Sequence, residues 1–204
     1  MTMKAHKNGG GMVADTARVD ESAYIGPNVL VSGNARVYGN AHVSGNAHVY
    51  GDAHVYGYAR VYGYAMVYGN AHVYGNAIVS GYALVSGNAH VYGNAHVYGN
   101  AHVYGNAHVS GYALVSGNAH VYGNAHVYGD AHVYGVMRSD GYCFVYVSCA
   151  DAIYRVIAGC RHLTMTEARK HWEDTRRGTP LGDETFVILD VIEALHKVKQ
   201  EGCV

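Results

Sequence analysis

A chain of 204 residues carrying 14 basic and 15 acidic side chains has a formal net charge of −1, which offers no electrostatic attraction to a nucleic-acid polymer or an anionic membrane surface. Its 27 Gly, 20 Tyr and 15 His against 2 Pro and 1 Trp lie far from average usage and point to an internal repeat. The opening MTMKAHKNGGGMVADT has no apolar signal core, and no run of about 18 apolar residues occurs anywhere, so the reading is a cytoplasmic protein.

Residues 1–12 read as an N-terminal tail. From Val13 an aliphatic residue recurs every six positions through Ile25, Val31 and Val37 to Val133, giving 21 repeats without an insertion. A small residue follows four places later, as at Ala17, Ala23 and Val29. Written from that small residue, the unit is Ala-X-Val followed by Tyr/Ser-Gly-Asn. The first three alternate as a short strand, with Ala and Val facing one way and X the other. Gly and Asn supply the turn because both tolerate positive φ. Three units close an 18-residue coil, and each coil stacks on the next at about 4.8 Å.

This pattern resembles the hexapeptide repeat of left-handed parallel β-helix proteins. Ile25-Gly26-Pro27-Asn28-Val29-Leu30 stands closest to the family's usual form. Later units depart from it, placing Gly two positions after the aliphatic residue and Tyr or Ser where Gly, Asp or Glu is usual. The resemblance covers residues 13–135 and implies a mainly β fold, a left-handed parallel β-helix of six to seven coils. It also implies a homotrimer and, in many members, a coenzyme A-dependent acyltransferase with a catalytic His and acetyl-CoA bound between neighbouring helices. Long arrays with a small tail also resemble proteins of bacteria and their phages, which places the chain in a bacterial or phage-infected cytoplasm.

Positions 18 apart share a face. The first face carries Arg18, Arg36, His54, His72, His90, His108 and His126. The second carries Tyr24, His42, Arg60, Ile78, His96, Leu114 and His132, and the third Leu30, His48, Met66, Leu84, His102 and His120. Outward apolar exceptions coincide with Tyr in place of Asn: Tyr64 before Met66, Tyr82 before Leu84, Tyr112 before Leu114. Together with Ile78 these seven form a candidate oligomer or packing patch. The histidine rows could bind a metal or charge together in acid, but duplication copies an outward residue freely. The reading assigns no metal site there.

After Tyr134 the period stops, and residues 136–204 read as a small α+β (ββαα) domain. This stretch holds 19 of the 29 charged side chains. Strands are expected near 141–148 and 153–158 around an Ala150-Asp151 turn. Thr164 and Glu167 have capping-box spacing, Leu163 is placed to staple onto Ala168, and Met165, Ala168 and Trp172 share a helix face. A second helix starts near Thr179-Pro180 or Gly182, with Ile188, Val191, Ile192 and Leu195 as its buried stripe. The four cysteines, Cys143, Cys149, Cys160 and Cys203, lack CxxC spacing and read as reduced.

The stretch HWEDTRRGTP reads as an inter-helix loop. With it, Arg138, Arg161, His171, Trp172, Arg176, Arg177 and Thr179 are candidate ligands for a small anionic or planar molecule, through forked hydrogen bonds and stacking. No catalytic residue is assigned, because eleven repeat positions carry His interchangeably and a catalytic base needs an environment of its own. The favoured function is a non-catalytic trimeric solenoid that sequesters a small anionic ligand, such as a signalling nucleotide in a phage-type counter-defence role. That ligand would sit at subunit interfaces or in the C-terminal domain, with no cofactor, nucleic-acid polymer or membrane involved. The alternatives are an acyltransferase using acetyl-CoA and a structural spacer.

Overall fold

The structure is a computed structural model that describes residues 2–148, 154–158 and 161–201. The chain forms two compact units, Met1–Asp130 and Ala131–Val204.

The first unit is a mainly β, three-faced parallel β-solenoid of about seven turns, built from two-residue rungs such as Arg60–Val61 and His72–Val73. Rungs pair in parallel with their counterparts 18 residues on, for example Arg60 with Ile78 and Met66 with Leu84. Every aliphatic residue from Ile25 to Val115 and every small residue from Ala23 to Ala119 is buried. The core is therefore a narrow column of mostly Val and Ala, with Ile25 and Val29 as the larger members of the two rows. Main-chain bonds run between coils around the corners too, as in Arg60 N–H to Ala77 O at 2.9 Å and Tyr64 N–H to Gly81 O at 2.7 Å. The turn glycine needs both its positive φ and its missing Cβ. At Gly45, φ is 65° and an added Cβ would stand 2.8 Å from the Gly63 nitrogen. Asparagines at one corner form a ladder of their own, Asn70 donating to Asn88, Asn88 to Asn106 and Asn106 to Asn124 at 3.0–3.1 Å.

The N-terminal residues, read from sequence as a tail, instead form a hairpin: Met3–Ala5 pairs antiparallel with Met12–Ala14. The loop between them also meets Ile25, whose N–H donates to Asn8 O and whose carbonyl accepts from Gly11 N–H, both at 2.9 Å. An open first coil would present unpaired backbone groups, and the hairpin satisfies several of them. Its only sequence signal is the Gly9-Gly10 pair, both at positive φ.

Among the described residues the second unit has four antiparallel strands where two were expected: His132–Met137, Cys143–Ser148, Tyr154–Ala158 and Arg161–Leu163, paired in that order. The first continues the alternation of the last repeat, and the fourth is too short to leave a pattern. The Ala150-Asp151 turn, and the expected reduced state of Cys149, Cys160 and Cys203, lie outside the described residues. Helix α1 spans Met165–Arg176, with the expected capping box at Thr164 and Glu167, and α2 spans Pro180–Glu201. The core gathers Phe144, Tyr146, Val156, Met165, Ala168, Trp172, Ile188, Leu189 and Ile192. Of the expected α2 stripe, Ile188 and Ile192 are buried. Val191 and Leu195 are exposed, and Leu189 takes the inner position. The helix is rotated from the expected facing because Thr185, Ile188, Leu189 and Ile192 complete the inner row at helical spacing.

The stretch read as an inter-helix loop is largely helical, since His171–Arg176 form the last half of α1. The connection is only residues 177–179. Gly178 at φ 71° breaks the first helix, and the Thr179 hydroxyl accepts from Gly182 N–H at 3.1 Å to start the second. Among the described residues no helix is long and apolar enough to cross a membrane.

Candidate functional site

Stacking at coil spacing turns the outward residues into ladders. On the first face, the rings of His54, His72, His90, His108 and His126 follow one another at centroid distances of 4.7–4.9 Å, and three of the four steps are parallel within 7°. At the corner beyond each rung, Tyr38, Tyr56, Tyr74 and Tyr92 stack at 4.7–4.9 Å. Each of these tyrosines sets its ring edge-on to the histidine of the next rung, as Tyr56 does to His72 at 6.3 Å. On the third face His102 stacks on His120 at 4.7 Å, and Tyr50 on Tyr68 at 4.9 Å.

Crowding within these rows lowers the affinity of the imidazoles for protons. Partial burial is the main cause for His54, His72, His90 and His102 alike; the next is Arg36 for His54 and neighbouring histidines for the other three. Tyr38, Tyr50, Tyr56, Tyr74 and Tyr104 are shifted up, again mainly by burial. Among the described residues no group of three or more His, Cys, Asp or Glu could hold a metal ion. Parallel rings direct their nitrogens side by side rather than toward a shared point.

The apolar exceptions stand where the 18-residue register places them. Tyr64 and Tyr82 stack at 5.0 Å, 53% and 60% exposed, and Met66 is paired with Leu84. Ile78 lies beside Arg60 on the second face. On that face Leu114 follows the 66%-exposed Tyr112 and pairs with His96. In the second unit Val187, Val191 and Leu195 form a further exposed apolar stripe at four-residue spacing along α2.

The seven candidate ligand residues of the second unit have divergent roles. Arg138 is buried: its Nε and one terminal nitrogen donate to Asp140 at 2.9 and 2.7 Å, and the other donates to the Thr185 hydroxyl at 2.8 Å. This fork holds the Asp140 carboxyl down at about 2, chiefly through its hydrogen bond. Trp172 is buried, 5.0 Å from Phe144, and offers no face to a planar ligand. Thr179 caps α2. Arg177 pairs with Glu173 at 2.7 Å on the surface. His171 packs edge-on to Trp172, and Arg161 and Arg176 are exposed. Burial and capping thus account for Arg138, Trp172 and Thr179, leaving Arg161, His171, Arg176 and Arg177 accessible to a solute.

The YdcK β-solenoid repeat matches this sequence at residues 31–45, 59–75 and 71–87. The fold of the first unit is a β-solenoid of six-residue repeats. The chain matches the crystal structure of a candidate acetyltransferase of Bacillus cereus at 13% identity and a TM-score of 0.41, with 91% of each chain covered. No curated protein matches its sequence. One feature of the solenoid has no counterpart among the sequence-derived candidates, a hollow of about 340 Å³ at the N-terminal hairpin. Val13, Ala17 and Val19 line it, with Lys4, Lys7 and Glu21 also contributing. Lys7 and Glu21 bond each other at 2.7 Å. The only hint in the sequence is that the repeat begins abruptly at Val13.

Proposed function

We propose that this protein is a non-catalytic β-solenoid scaffold that assembles as a homotrimer and holds a small anionic molecule, with signalling nucleotides as the ligand class. The observation that carries the reading is the sameness of the outward histidines. His72 and His90 stack at 4.8 Å within 2° of parallel, each has a histidine one coil away on either side, and both are shifted in the same direction, chiefly by burial. A general base needs a partner that sets it apart from its copies, and repetition works against that. The exposed apolar exceptions supply contact surface for assembly, and Arg161, Arg176 and Arg177 supply cations at the surface of the second unit.

Mass spectrometry of small molecules released on denaturing the purified protein tests this reading, with light scattering for assembly state. A released nucleotide or related anion from a trimer is the expected result. Acetyl transfer from acetyl-CoA that disappears on changing a single histidine would overturn it, as would a monomer from which nothing is released.

A further inference from the structure

The first face of the solenoid has a property that the proposed small-ligand role does not use. Its outward column is cationic or protonatable at every rung: Arg18, Arg36, His54, His72, His90, His108 and His126, paired in strict register. The rows on either side carry few acids. On the near side are Thr16, Asn34, Asp52 and then asparagines alone, and on the far side Asp20, four tyrosines, Ser110 and Tyr128. Both acids sit toward the N-terminal end, and both are engaged: Asp20 accepts from Gly39 N–H at 3.2 Å and Asp52 from the Asn34 amide at 3.0 Å. The stretch from His72 to His108 is flanked only by the phenols of Tyr74 and Tyr92, the Ser110 hydroxyl and asparagine amides bonded to one another.

We propose that this face is a docking track for a linear acidic polysaccharide, engaged as the histidine column takes up protons. From His54 to Tyr92 the track offers one imidazole and one phenol per coil, repeating at the 4.7–4.9 Å of the ring stacks, and the imidazoles continue to His126. A chain of uronate sugars advances by a comparable step per residue and presents carboxylates and hydroxyls along its length. Imidazolium groups that close together repel each other, and a carboxylate laid over each step removes that repulsion, so binding and protonation reinforce one another. Two permanent cations, Arg18 and Arg36, anchor one end whatever the pH. Geometry disfavours a single-stranded nucleic acid, which needs open aromatic faces for its bases. Here the ring faces are turned to each other along the axis and only edges are left outward.

The test is fluorescence anisotropy of the full chain with labelled polygalacturonate at pH 5.5 and 7.5, alongside His72→Gln/His90→Gln and His42→Gln/His96→Gln. The second pair removes as many histidines from a different face. Wild type is expected to bind at least about tenfold more tightly at the lower pH, a gain linked to proton uptake. The first pair loses most of that gain and the second keeps it, with unchanged circular dichroism in both. Proton uptake on binding, read by calorimetry in two buffers of different ionisation enthalpy, is the companion measurement. Equal affinity at both pH values, equal loss in both variants, absent proton uptake, or tighter binding of single-stranded DNA than of the polysaccharide each overturns the proposal.

Discussion

Coil-on-coil contact at the turn glycines can be isolated by comparing Gly45→Ala with Gly123→Ala. Both glycines have the same backbone, φ 65° and 66°, so both alanines carry the same left-handed strain, about 1–2 kcal/mol. Their surroundings differ. A Cβ at position 45 would stand 2.8 Å from the Gly63 nitrogen and 2.9 Å from its oxygen, whereas nothing lies within 4 Å of one at position 123. The Gly63 backbone cannot simply retreat, because its carbonyl accepts from Asn46 N–H at 2.7 Å and the Val61 carbonyl, two residues earlier, accepts from Ser44 N–H at 2.9 Å. Relieving the overlap therefore stretches bonds between coils, at the roughly 1–3 kcal/mol typical of overpacking. Gly45→Ala should lose about 2–5 kcal/mol in all and Gly123→Ala only the strain, as read from urea unfolding of the two variants. Equal losses would refute the reasoning, since the φ contribution is common to both and only the inter-coil contact differs.

The stacked histidines should make the solenoid acid-sensitive. His54, His72, His90 and His102 hold protons less readily when folded than the ordinary imidazole value of 6.5, so below that value the unfolded chain binds more protons. Their contribution is then complete above about pH 6.5 and is lost as pH falls through the lowered folded values. Melting temperature should fall between pH 7.5 and 5.5, less steeply in His72→Gln/His90→Gln. In the second unit, Trp172→Ala should cost about 3–5 kcal/mol through loss of core packing against Phe144 and Met165, while Trp172→Phe costs less. Near-ultraviolet circular dichroism follows both, and a Trp172→Ala variant as stable as wild type would return the indole to the list of candidate ligand groups.

The solenoid could be read from the sequence because the same instruction is written 21 times. One misread unit would be outvoted by its neighbours, and the register of 18 follows from the period and the three-sided closure. That register alone placed Met66 against Leu84 and Tyr64 against Tyr82. The second unit has each instruction once. The Thr164–Glu167 box was legible as a local pattern, but the facing of α2 depends on what packs against it. Leu189 inside and Val191 outside could not be told apart by spacing alone. Arg138 and Trp172 looked available for a ligand because residue type says nothing about burial. Only the fold shows one held by Asp140 and Thr185 and the other under Phe144.

Closure every third repeat also gives the solenoid an arithmetic. Inserting six residues leaves the Val and Ala column intact, yet every later outward residue moves on by one face, so a cut between His72 and His90 would divide the row in two. Inserting eighteen lengthens every row by one step and breaks none. Length in this protein is thus a quantity that can be changed in whole coils without redesign, and the faces keep their identity only when the change is counted modulo three repeats.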